Sequence, residues 1–241
     1  MTFSHSSPGD FRSWIDGRHE SDELKQSARD AVDDYESALA ACNAADSVDR
    51  LYDAAIHFRS IVWEVALPLL SQLAGSSDLA RQCIQRMSTE RNSELRRRSI
   101  QYLDDFYPRS FCIQLLHALL QDRSAKVRGF AASRIEGLGL VELLPNLKTA
   151  LHSEKNKVAR FELDYALCLL RDGYYEMHRS GYCLAIRNAD SGPGGAVWIR
   201  NFRGKPLSAE RVRELGIEVV CREVLDNHGV KPLRPWQWKD E

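Results

Sequence analysis

The chain has 241 residues, 44% of them hydrophobic and 28% charged, with a formal net charge of −1. That balance suits a folded chain of one elongated unit or two small domains, and excludes a disordered, collagen-like or polybasic polypeptide. No apolar run reaches the roughly 18 residues of a membrane span, so no membrane partner is expected, and six cysteines without a CxxC pair suggest buried, reduced thiols in a cytoplasmic protein.

Residues 1–18 read as an N-terminal arm in which Phe11, Trp14 and Ile15 can pack as one turn. They lack the basic start and hydrophobic core of a secretory signal. From Glu20 to Cys42 apolar residues recur in steps of three and four at Leu24, Ala28, Val32, Tyr35, Leu39 and Cys42, which predicts an amphipathic helix. Asp22, Glu23, Asp30, Asp33, Asp34 and Glu36 fill its other face. Their spacing lacks the glycine-turned loop of a calcium site, so a solvated face is expected and no metal. After a turn at 43–47, one wide-striped helix runs from Leu51 to Leu73, with Pro68 expected to kink or break it. Residues 19–78 would then be a divergent helix pair. Net charge is uneven: −8 over residues 1–78, +5 over 79–172 and +2 over 173–241.

The stretch 79–172 repeats itself. An acid followed six residues later by arginine recurs every 32 residues: Glu90/Arg96, Asp122/Arg128 and Glu154/Arg160. Apolar positions keep the same register, with Met87, Leu119 and Leu151 before the acid and Leu103, Ile135 and Leu167 after the arginine. A fixed period with apolar positions on both sides of a polar gap predicts stacked helical hairpins, at 79–88 with 93–106, 110–121 with 125–136, and 141–152 with 157–171. The six charged residues are expected to form a ladder across the turns. Its members should contribute little singly, and loss of Arg128 should cost about 1 kcal/mol, because its acid sits at a turn open to water.

The segments from Leu115 to Gly139 and from Leu144 to Leu170 resemble HEAT repeats. The first carries a leucine-rich helix, the Asp122 turn, the Val127-Arg128 pair and then Ala131 and Ala132. The second has proline near its start and an inserted residue in Val158-Ala159-Arg160. The copy from Leu79 to Phe106 matches less closely. The resemblance implies an α-solenoid over 19–172 whose second helices line a concave surface. There Arg97, Arg98, Arg128 and Arg134 would bring four cations to one side.

Residues 173–241 change character. "GYCLAIRN" and "AVWIRNF" have strand-like content, and "ADSGPGG" between them reads as a connection. "SAERVREL" reads as a Ser-capped helix, and 217–224 as a strand or more helix. The fold class expected is therefore mostly α, a solenoid of HEAT-like hairpins with a small C-terminal α+β module.

No catalytic signature stands out and no cofactor is implied. Ser191-Gly192-Pro193-Gly194-Gly195 lacks the lysine and following helix of a phosphate loop. The seven histidines are not paired at metal-ligand spacing. Cys183 and Cys221 have no feature that distinguishes a nucleophile from a core thiol. Tyr174, Tyr175, Trp198, Trp236 and Trp238 could form an aromatic surface. Three functions stay open. The first is a non-enzymatic protein-binding scaffold, adaptor or inhibitor, including an immunity-type protein sequestering a toxin, whose partner presents an acidic surface. The second is nucleic-acid binding through Arg91, Arg96, Arg97, Arg98, Arg109, Arg123 and Lys126, with the architecture of HEAT-like alkylpurine DNA glycosylases. All five tryptophans, however, lie outside the repeats. The third is a bilin-lyase-like enzyme, matched only through generic repeats.

Overall fold

The computed structural model describes residues 6–41, 44–58, 60–178, 181–187 and 196–227. Cys42, the Ser191–Gly195 loop, His5, His228, Trp236 and Trp238 lie outside them. Within the described residues the protein is mostly helical, with twelve α-helices and a small C-terminal module of antiparallel strands. It divides into two compact units, Met1–Leu115 and Leu116–Glu241. The division falls inside the repeat stretch, and the C-terminal module shares the second unit with the last helices.

In the first unit the arm expected at 1–18 contains a formed helix, α1 (Pro8–Asp16). Ser7 and Asp10 close a capping box over Pro8, which satisfies orphan N–H groups of the first turn. Phe11 and Ile15 are fully buried. Arg12 reaches Asp33 at 2.6 Å and Glu36 at 2.8 Å on α2 (Asp22–Ala40), so part of the acidic face is paired rather than solvated. The single helix expected after residue 47 is two, α3 (Ala45–Ile56) and α4 (Ser60–Ala74). The break is at His57, whose backbone is extended and whose carbonyl accepts a hydrogen bond from Arg98 Nη1 at 3.0 Å. Pro68 neither breaks nor ends α4.

Next come α5 (Asp78–Ser88) and α6 (Ser93–Arg98). The second helix of this copy was expected to reach residue 106 and stops at 98. Ser99 Oγ bonds the Arg96 carbonyl, and the following N–H groups of Ile100 and Gln101 bond carbonyls three residues back, which tightens and ends the helix. The non-helical stretch is held by Ser71, whose hydroxyl meets the Tyr102 carbonyl at 2.9 Å and the Tyr107 hydroxyl at 2.7 Å. The Phe106 ring lies 2.6 Å from where a Cβ on residue 75 would be, so Gly75 is required for this packing.

Helix α7 (Arg109–Leu119) runs across the division between units. The second unit continues with α8 (Ala125–Gly137), a short 3-10 turn, α9 (Leu144–Ser153) and α10 (Lys157–Asp172), and α10 packs on both α8 and α9. Gly173, at φ 78°, ends α10 in a left-handed turn that reverses the chain into the sheet. Strands β1 (Tyr174–Met177), β2 (Cys183–Arg187) and β3 (Ala196–Ile199) are antiparallel in that order, and β4 (Asn201–Phe202) pairs with β5 (Lys205–Pro206). Leu184 and Ile186 point to a core made with α11 (Ala209–Leu215) and α12 (Ile217–Asn227). Residues 217–224 are thus helix. The alternate residues Cys183 and Ala185 are buried too, on the side where α10 packs.

The turn chemistry of the repeats is regular. Arg96, Arg128 and Arg160 each donate to the backbone carbonyl of the acid six residues earlier, at 2.8, 2.6 and 3.3 Å. The acid side chains act elsewhere. Asp122 Oδ1 and Glu154 Oε1 accept the N–H two residues on, at 2.7 and 2.8 Å. The Glu90 carboxylate accepts from the Tyr52 hydroxyl at 3.2 Å. Asn92 and Asn156, two residues beyond their acids, cap α6 and α10.

Arg128 also grips Glu154 with two parallel bonds, at 2.6 and 2.7 Å. The Glu154 side chain is only 2% exposed, so the pair is not open to water as the sequence suggested. The expected cost of Arg128→Ala rises accordingly from about 1 to about 2–3 kcal/mol, since a buried carboxylate loses its cation and keeps only backbone N–H donors. The bonds from Arg128 hold the Glu154 carboxyl below its ordinary value of 4.5. A lowered folded-state pKa stabilises at pH above the unfolded value and loses that stabilisation as pH falls through the folded one. Denaturation of wild type and variant should therefore differ most near neutrality and converge as pH falls through the lowered folded-state value of the Glu154 carboxyl.

Candidate functional site

The four arginines read as a concave cationic surface are mostly engaged within the fold. Arg98 is 6% exposed, with its guanidinium 4.0 Å above the Trp63 ring. Burial lowers its pKa, and Arg98 is a core cation rather than a surface one. Arg97 bonds Glu94 one turn back, at 2.5 Å. Arg128 is bound to Glu154, and Arg134 lies over the Phe130 ring at 5.4 Å. Arg97 and Arg98 belong to the first unit, Arg128 and Arg134 to the second.

Helix α10 and the sheet bring other residues together. Phe161 and Tyr165, four apart on α10, stack at 6.0 Å. Tyr175 of β1 meets both edge-on, at 5.8 and 5.3 Å. Trp198 of β3 stacks on Tyr165 at 5.6 Å, nearly parallel, and is 44% exposed. Register explains the meeting. Tyr175 pairs with Ala185, and Ala185 with Trp198, so all three share one face of the sheet. The Tyr175 hydroxyl faces Asp164 at 3.4 Å, and burial raises the Tyr165 phenol above its ordinary value.

Beside these rings is an open cleft of about 510 Å³, lined by Leu151, Lys157, Arg160, Phe161, Asp164, Tyr175, Glu176, Met177 and His178. Lys157 and Arg160 are exposed on the first turn of α10. Arg160 Nη1 bonds the carbonyls of Leu151 and Glu154, which leaves its charge unneutralised. A second cleft, of about 530 Å³, has Arg128 and Glu154 among its lining residues, and these are bound to each other.

The sequence pointed to Tyr175 and Trp198 and missed Phe161 and Tyr165. Their four-residue spacing beside exposed Lys157 and Val158 was the available signal. Tyr174, named with them, packs on the opposite core with α11 and α12. Cys221 lies in that core, fully buried, and burial pushes its thiol up to about 12, so it is not an activated nucleophile. No helix of the described residues is long and apolar enough to cross a membrane.

No protein-family model matches this chain, and no curated protein matches it. Among solved structures, the crystal structure of an engineered protein aligns at 15% identity and a TM-score of 0.34, covering 71% of this chain and 86% of that one. A likeness that weak bears on neither fold family nor function.

Proposed function

We propose that this is a non-enzymatic binding protein, an adaptor or inhibitor of another protein, and that its partner meets the surface formed by α10 and the sheet. The observation that carries this reading is the half-exposed cluster of Phe161, Tyr165, Tyr175 and Trp198 beside the cations Lys157 and Arg160. Tryptophan, tyrosine and arginine around a desolvated centre are the composition of interface hot spots. An acidic partner fits the two cations. The toxin-sequestering immunity role is one form of this reading. We further propose that the helix pairs are HEAT-like repeats, a reading supported by the three arginines that each bind a carbonyl six residues back.

Trp198→Ala removes the most exposed ring and leaves the core intact. It should weaken partner capture by the full chain about thirtyfold or more, as hot-spot truncations do, with circular dichroism unchanged. Nucleic-acid binding is tested alongside by anisotropy titration with duplex and single-stranded DNA at several salt concentrations. Tight, steeply salt-dependent DNA binding that is indifferent to Trp198 would replace this reading with the nucleic-acid one.

A further inference from the structure

We infer that strand β1 receives an extended acidic segment of the partner protein as an added strand, in the cleft between β1 and α10. The inference rests on the proposed protein-binding role and specifies how the partner is held.

The open edge comes first. Among the described residues β1 is an outer strand of the three-stranded sheet, with no strand on its far side. In an antiparallel pair, residues alternate between those that bond the neighbouring strand and those that turn their N–H and C=O outward. The Arg187 N–H donates to the Gly173 carbonyl at 2.9 Å, which sets the phase. With the register Tyr174 to Ile186 and Met177 to Cys183, Tyr175 and Met177 bond β2, and Tyr174 and Glu176 face the open edge. The four pairs are consecutive, and β1, although short and carrying Glu176, contains no proline, lysine or bulge, three devices that block edge pairing.

The walls come second. Residues 175 and 177 point to the α10 side and line the cleft with Phe161 and Leu151. An incoming strand would place every second side chain against this apolar wall, the arrangement that gives strand addition its specificity.

Charge identifies the occupant. On the α10 side the cleft holds Lys157, Arg160 and Asp164. Asp164 is met by the Tyr175 hydroxyl. Among the described residues, neither Lys157 nor Arg160 has a carboxylate partner. Glu176 and His178, which also border the cleft, alternate away from Tyr175 and Met177 and lie 3.8 Å from each other. An extended segment with a carboxylate and an apolar side chain two residues apart meets both the cations and the wall.

The probe is a random-peptide display library selected on the full chain. Selected sequences should carry an acid and an apolar residue at two-residue spacing. A synthetic peptide of the selected sequence, followed by fluorescence anisotropy, should lose affinity about three- to tenfold when single amides are N-methylated, but only at every second position. Lys157→Glu should weaken it about tenfold or more. Glu176→Pro should do the same, because it removes an outward N–H and leaves the β1–β2 ladder intact. If that variant misfolds by circular dichroism, the N-methylation pattern decides alone. Selection of no peptide, N-methylation effects without alternation, or full binding by a folded Glu176→Pro variant would each overturn strand addition. If partner capture still depends on Trp198 in those cases, the binding role stands and only this mode of it falls.

Discussion

Replacing Arg187 with alanine is expected to lower the unfolding free energy by about 3–5 kcal/mol in chemical denaturation. Arg187 Nη2 donates to the Glu136 carbonyl at 2.9 Å, and Nε lies 3.3 Å from Glu136 Oε1. The two side chains are 12% and 3% exposed. Burial outweighs the attraction of Glu136 and lowers the arginine's pKa from its ordinary 12.5. The pair is therefore costly to bury and more costly to break, because truncation leaves a carboxylate in a dry site. Glu136→Gln combined with Arg187→Met should recover most of the loss, since neither residue then carries a charge. A loss below about 1 kcal/mol in the single variant would mean that water reaches the carboxylate. The contact joins the end of α8 to β2, so the loss should appear in the melting of the sheet as well as of the helices.

Ile135→Ala is expected to cost about 2–5 kcal/mol, measured by urea denaturation, with Ile135→Val costing about 0.5–1.5 kcal/mol. Ile135 is fully buried on α8, and among the described elements α8 and α10 form the most extensive pair. Truncation removes the transfer free energy of the lost methylenes and leaves a cavity that rigid helices fill poorly. The effect should exceed that of Arg128→Ala, although the buried Glu154 narrows the difference. The reverse order would make the turn pair the stronger element.

The candidate surface was only partly legible in the sequence. Tyr175 and Trp198 were visible as aromatic residues in strand-like segments. Their partners on α10 were not, because Phe161 and Tyr165 also fit a repeat helix that buries its apolar side. Arg98 was misread for the opposite reason. A run of three arginines looks like a solvated face, and nothing local shows that the third lies over Trp63 and holds the His57 carbonyl. That carbonyl stands at the unforeseen break between α3 and α4.

Local chemistry decided much without help from the fold. The 32-residue register placed the acids and the arginines at the turns, because turns depend on residues a few positions apart. The Ser208 cap, the glycine at position 173, the apolar content of β2 and the β-branched and aromatic content of β3 belong to the same class. Tertiary structure alone decided what those elements meet. It buried Glu154 and so raised the weight of Arg128, and it set the phase of β1 that turns Tyr174 and Glu176 outward. It also drew four rings from α10, β1 and β3 onto one face. Burial, strand register and the pairing of distant charges depend on residues far apart in the chain, and a pattern read a few positions at a time does not contain them.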